Sequence, residues 1–313
     1  MLRFYHGKVL TLQKSMEIQE NYEVWVDNDT ICYVGPELTK EQMAEKGRKG
    51  FEREIDLKGN LLMPGFKDAH THSPMTFLRS YADDLPLQEW LYQQVFPMEA
   101  KLTPEHIYRF TRLAILEYLS SGITASFDMY VEPEANAQAN IDMGFRTVLC
   151  GTLNDFKDSV PALENYYKTF NQYHTLISYQ LGFHAEYTTG EPLLRDLAAL
   201  AAQEQAPVYT HLSETAKEVA ECRQRYGASP VKALADMGIW KYGGGGLPPA
   251  ARGQRLPLRA CVRRGYADYA GAWHICGYKS GKQCKAGKRN RTDCRVETAW
   301  YSVGNRNGRT GKQ

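Results

Sequence analysis

Three observations predict an α/β protein built as an incomplete (β/α)8 TIM-type barrel behind a small N-terminal β-domain. Residues 1–59 read as short strands joined by turns. Residues 60–240 alternate apolar strands with capped helices, and residues 241–313 change composition into an irregular basic, Gly-rich tail. The 313 residues suffice for one large α/β domain or two smaller ones, and 43% hydrophobic with 24% charged residues is ordinary for a globular chain.

The N-terminal part opens with "RFYHGKVLTL" and continues with "YEVWVDNDTICYVG", where Asp27-Asn28-Asp29 forms a turn between apolar-rich runs. From Asn60 the pattern becomes βα. "NLLMPGFKDAH" is the first strand, and "GITASFDMY", "GFRTVLCGTL", "ISYQLGFHAEY" and "APVYTHLSE" are four more of the same character. The helix "TPEHIYRFTRLAILEYLSSG" carries its own punctuation, with Thr103 as N-cap, Pro104 at the first helical position and Gly122 near the stop. Ile107, Phe110, Leu113, Ala114 and Leu116 supply its expected apolar face. "GEPLLRDLAALAAQEQ", "SETAKEVAECRQRYG" and "SPVKALADMG" follow the same grammar. Five βα units in order suggest a barrel, but a closed one needs eight strands.

The formal net charge of +2 hides a break. From Lys241 onward there are 16 Lys+Arg against 3 Asp+Glu, a balance of +13, so the first 240 residues carry −11. Half of the 26 glycines also fall in this tail. The seven cysteines are scattered without a C-x-x-C pair, which argues against a disulfide framework or a zinc ribbon. No run of 18 apolar residues occurs and "MLRFYHGKVLTLQ" lacks a signal-peptide core, so the expectation is a cytoplasmic protein with no membrane partner.

The chemistry starts at "DAHTH". Side chains at i and i+2 of a strand share a face, so His70 and His72 can meet one ligand at the strand's C-terminal end. Neutral imidazoles there suit zinc or another late transition metal, although a bare H-x-H also describes two loop histidines. His211 likewise ends an apolar strand, "APVYTHLSE". Glu214 follows three residues later, placed either to move protons beside a metal-activated water or simply to sit at a helix N-terminus.

"PGFKDAHTHSPMTFLRSYADDLPLQEWL", "FPMEAKLTPE", "GFHAEYT" and "THLSETAKEV" together resemble the amidohydrolase superfamily. The branch they most resemble is that of the 5-methylthioadenosine/S-adenosylhomocysteine deaminases, near the s-triazine chlorohydrolases. The resemblance runs from about residue 2 to about residue 240. It implies that His70, His72 and His211 bind one divalent metal, usually zinc, and that Glu214 is the proton shuttle and a contact to the purine ring. It further implies that Glu99 binds ribose, that His184 contacts substrate, and that Arg146 is a substrate-binding arginine, against the plainer reading of a solvated charge opening a strand. Glu186 departs from the family's H-A-P-Y-T motif. The implied partner is a small-molecule nucleoside, with a homo-oligomer left open, and the implied reaction is hydrolytic deamination at C6 of the adenine ring. Alternatives are a related aminohydrolase or chlorohydrolase, or a non-catalytic remnant.

The same resemblance implies a fourth histidine and a metal-binding aspartate from later strands, and neither motif follows Trp240. A shifted reading frame accounts for this. With each tail residue written as its degenerate codon and read one base later, Pro257 to Arg259 permits His-Cys. Gly271 to Gln283 permits Glu-Arg-Gly-Ile-x-Val-Ala-Thr-Asn-Pro-x-Ser, and Arg306 to Gln313 permits Gly-Thr-Asp-Gly-Pro-Ala-Ser. Each shifted codon allows several residues, but so many family motifs in the right order are hard to obtain by chance. The tail, beginning between residues 241 and 255, therefore reads as out-of-frame translation. The rival reading, a nucleic-acid-binding tail, lacks a recognised module and aromatic interleaving, so no nucleic-acid partner is expected, and His274 and the tail cysteines receive no metal role. A barrel stopped at five strands predicts poor stability and little or no activity.

Overall fold

The computed structural model describes residues 1–12, 16–82 and 84–242, together with the backbone of 263–264 and 273–274. The expected irregular tail and the out-of-frame reading of 241–313 therefore fall almost wholly outside the described residues. Two compact units are present, Met1–Phe66 and a second beginning at Lys67.

In the first unit, β1 (Leu2–Leu10), β2 (Ile18–Asp27) and β3 (Thr30–Pro36) pair antiparallel, as alternating apolar residues around the "DNDT" turn require; Asn28 takes a left-handed φ of 53° there. A short helix, α1 (Lys40–Glu45), follows. The strands β4 (Arg53–Asp56) and β5 (Leu61–Leu62) then join β1 in parallel. Val9, Val24, Trp25 and Met43 are buried, as is Glu23, which is held by the Arg3 guanidinium at 2.6 Å and the Trp25 indole at 3.0 Å.

The stretch "NLLMPGFKDAH", expected as one strand, is two. Pro64 has no N–H to give a ladder and pulls the preceding residue away from regular pairing. Thus β5 stays with the first sheet and β6 (Phe66–Thr71) begins the second. The second sheet has the order β10-β9-β8-β7-β6, with β7 (Ile123–Met129), β8 (Arg146–Cys150), β9 (Ile177–Ala185) and β10 (Val208–His211). The pairs β7–β8, β8–β9 and β9–β10 are parallel. Spatial order following chain order is the winding of a barrel, not of a sheet with a reversal point.

Crossovers between these strands carry α2 (Leu87–Trp90), α3 (Phe96–Glu99), α4 (Pro104–Ser120), α5 (Pro133–Asp142), α6 (Val160–Tyr173) and α7 (Glu191–Glu204). The helices α8 (Ala216–Tyr226) and α9 (Pro230–Asp236) follow β10. Thr103 caps α4 by accepting from the His106 amide, as expected, but the buried stripe differs from the expected face. It runs through Ile107, Thr111, Ala114 and Ile115, whereas Leu113 and Leu116 are 44% and 56% exposed. Residues four and seven beyond Ile107 share its face of a 3.6-residue helix, and residues 113 and 116 do not. The main core joins Leu149, Leu163, Phe170, Leu181, Phe183, Leu194, Leu197 and Leu234. Strands β8 and β9 approach so closely at Gly182 that a Cβ would sit 2.5 Å from both the Cys150 sulfur and the Gly151 carbonyl.

Candidate metal centre

Alternation along β6 puts His70 and His72 on one face, with ring centroids 4.8 Å apart. His211 closes β10, at the other end of the sheet order. Its Nε2 nevertheless lies 3.0 Å from Nε2 of His70 and 3.2 Å from Nε2 of His72. The sheet must therefore curl until the C-terminal ends of its outermost strands face each other. Among the described residues these three form the one group able to hold a metal ion, with their ligand atoms all within 4.8 Å.

The hydrogen bonds behind the rings fix which nitrogen is free. His72 Nδ1 lies 2.6 Å from the Met129 carbonyl, and His211 Nδ1 lies 2.7 Å from the His184 carbonyl. A carbonyl only accepts, so each Nδ1 carries the proton and each Nε2 presents a lone pair. Two facing lone pairs 3.2 Å apart repel, and a shared cation turns that repulsion into attraction. Tetrahedral zinc with Zn–N of about 2.0–2.1 Å spaces its nitrogens roughly 3.3 Å apart, so the residues present fit the ion. Burial, then repulsion from the neighbouring rings, holds His70 well below the ordinary imidazole range. Burial and His211 lower His72 to about 4, and burial lowers His211 against the opposing pull of its bond to His184. All three are neutral near pH 7, the form a metal requires.

Around this centre lie the other expected residues. Glu214 stands in the loop between β10 and α8, where the Tyr187 hydroxyl donates to its Oε2 at 3.1 Å and its charge opposes the lowering of His72. His184, in β9, has Nδ1 2.9 Å from the Thr188 hydroxyl and meets the His211 ring with a centroid distance of 5.1 Å. Burial, then His211 and His72, lower it to about 3. Glu99, the last residue of α3, accepts from the Tyr130 hydroxyl at 2.7 Å, and burial raises its pKa.

Residues 61–242 match the amidohydrolase family. The chain belongs to that family. A 5-methylthioadenosine/S-adenosylhomocysteine deaminase of Thermoanaerobacter pseudethanolicus is 34% identical over 239 residues, 74% of this chain and 54% of the relative. One of the same description from Acetivibrio thermocellus is 40% identical over 194 residues, 60% of this chain and 45% of the relative. Among solved structures, a zinc-bound adenosine deaminase from Xanthomonas campestris superposes with a TM-score of 0.68 at 31% identity, covering 76% of this chain and 55% of the other. A zinc complex of atrazine chlorohydrolase from Arthrobacter aurescens gives 0.64 at 21% identity, covering 76% and 58%, a likeness of fold. This amidohydrolase chain thus spans about half the length of the curated relatives it matches. Zinc is the ion in both of these solved neighbours, and His70, His72 and His211 supply a group that could hold it here.

One expected site residue of the amidohydrolase lies elsewhere. Arg146 opens β8, in register with Ala125 near the start of β7, and its Nη1 donates to the Thr175 carbonyl at 2.8 Å. In a parallel sheet the end where a strand starts is opposite the end where the histidines sit, here about 13 Å of strand away. The substrate-contact expectation for Arg146 is therefore corrected, and it is a rim charge at the N-terminal end. Glu186 gains an explanation. Its side chain is fully buried and accepts a two-pronged bond from Arg225 of α8, at 2.8 Å to each oxygen.

Sequence reasoning missed the supports. Asp128 is fully buried at the end of β7, accepting from the Ser73 amide at 3.0 Å and from Asn136 at 2.9 Å, which pins the turn directly after His72. An acid inside the apolar strand "ITASFDM" was a legible signal. Tyr130, Tyr187 and Glu218 gave no comparable one.

Proposed function

We propose that this chain carries the metal-binding and proton-transfer part of a hydrolytic deaminase of adenosine derivatives, converting S-adenosylhomocysteine or 5-methylthioadenosine to the inosyl product and ammonia. The observation that supports this best is the convergence of three neutral histidines on one point beside the loop bearing Glu214. His70, His72 and His211 would hold zinc, which when bound supplies Lewis acidity and brings the pKa of water toward neutrality. Glu214 takes a proton from the water that adds to C6 and delivers it to the ring nitrogen; it then carries the proton of the new C6–OH to the amino group, the C6–N bond breaks, and ammonia leaves behind the C6 carbonyl. Glu99, oriented by the Tyr130 hydroxyl, accepts from ribose hydroxyls, and His184 contacts the substrate through the ring edge opposite its Nδ1 bond to Thr188.

The metal group has three histidines, whereas the family resemblance implies a fourth histidine and an aspartate. We take these to be encoded one base out of frame in the tail, so the chain as written turns over little or no substrate. Ammonia release from S-adenosylhomocysteine and 5-methylthioadenosine, measured beside a frame-restored version, tests both points. Full activity of the unrestored chain sinks the impairment, and silence of both with adenosine derivatives sinks the substrate class.

A further inference from the structure

We propose that Glu218 is the positioning residue for Glu214, its buried carboxylate holding the backbone amides on which the Glu214 side chain is mounted. The inference rests on the reading of Glu214 as the proton shuttle. Thr215 caps α8 by accepting from the Glu218 amide at 3.1 Å, so Glu218 is the third helical residue. In an ordinary capping box that residue's side chain returns to the cap's own amide. Here it reaches further back. One carboxylate oxygen accepts from the Ser213 amide at 2.8 Å and the other from the Glu214 amide at 2.6 Å.

Ser213 holds a left-handed φ of 53°, a conformation that residues with a Cβ seldom adopt. Successive amides in such a bend make a concave cradle for an anion, and the chain fills the cradle with its own carboxylate. Glu218 has no exposed surface, and burial raises its pKa to about 7 against those amide bonds. A serine or threonine cap alone would secure the helix without burying an acid.

The second anchor is Tyr187, whose hydroxyl holds the Glu214 carboxylate from the facing loop. That loop is tied to the last turn of α8 by the ion pair of the buried Glu186 with the partly exposed Arg225. The first turn of α8 thus fixes the backbone of Glu214, and its last turn fixes the segment that orients the Glu214 side chain.

The test uses the zinc-loaded full chain and the variants Glu218→Gln, Glu218→Ala, Glu214→Gln and the pair Glu218→Gln/Glu214→Gln. Glutamine accepts one amide but turns its own NH2 on the other. Glu218→Gln should speed hydrogen exchange at the Ser213 and Glu214 amides by about tenfold or more, with zinc content unchanged. Where turnover is measurable, kcat should fall about tenfold at unchanged KM, and the pair should be no slower than Glu214→Gln alone. If Glu218→Ala does not fold, the glutamine variant decides. Unchanged exchange at both amides overturns the proposal, as does a rate loss carried by KM. Full turnover by Glu214→Gln refutes the shuttle reading separately, because the exchange measurement does not depend on it. In a chain without turnover the exchange result stands alone and decides.

Discussion

At the scale of single residues, the imidazoles are neutral because water is excluded from them. His72 and His184 titrate at about 4 and about 3, below the roughly 6.5 of an exposed histidine. Between pH 6.5 and those values the unfolded chain binds protons that the folded chain refuses. Their contribution is therefore complete above pH 6.5 and is lost as the pH falls, by about 1.4 kcal/mol per pH unit for each group. Urea midpoints measured in chelator should drop steadily from pH 6.5 to 4, with a shallower slope in His184→Asn; a flat profile contradicts this account. Asp128 makes a second residue-level case. Asp128→Ala strands the Ser73 amide and the Asn136 side chain, costing about 2–4 kcal/mol by urea denaturation. The same change loosens the turn after His72, and zinc affinity by competitive chelation should fall about 10–100-fold. Undiminished affinity in a folded variant would separate Asp128 from the metal centre.

Between elements, α8 is fastened to the turn after β9 by one ion pair of unequal burial. The Glu186 side chain has no exposure and that of Arg225 has 39%. Arg225→Ala leaves the acid buried and unpaired, so thermal and urea unfolding should show a loss of about 3 kcal/mol, the low end for a broken buried pair because Arg225 is partly wet. Glu186→Pro with Arg225→Ala removes both charges and should recover most of it; no recovery means the pair is not what the acid needs. This pairing also marks where the sequence stops being legible. Histidines ending apolar strands are readable because strand period and metal chemistry are local rules, and β6 to β10 follow from the same periodicity. The split at Pro64 and the rotated face of α4 depend on which neighbour each residue finds. That Arg146 opens its strand was legible, and of its two readings the plainer one, a charge at the strand's start, fits the register, because the starting ends of a parallel sheet lie away from the histidines. The partner of Glu186 lies 39 residues away, and that of Glu214 lies 27 away, with no periodicity to announce either.

For the molecule as a whole, the second sheet sets the question of stability. Among the described residues β6 and β10 each have one sheet neighbour, which makes them the edge strands of this sheet. Leu113, Leu116 and Leu119 add exposed apolar area on α4, at 44%, 56% and 47%. Open edges of that kind pair with other chains, and a helix stripe left bare adds to the drive. The relatives are about twice as long as the matched region, and the tail's shifted codons permit the family's later motifs. Restoring the frame should therefore do more than supply two ligands. It should supply strands beside both edges and raise stability and zinc affinity together. The chain as written should scatter light increasingly with concentration and bind a hydrophobic dye, while the restored chain should do neither and should unfold in one cooperative step at a higher temperature. If the unrestored chain is monodisperse, dye-silent and as heat-stable as the restored one, its two strand edges are covered in some other way and the out-of-frame reading loses its structural support.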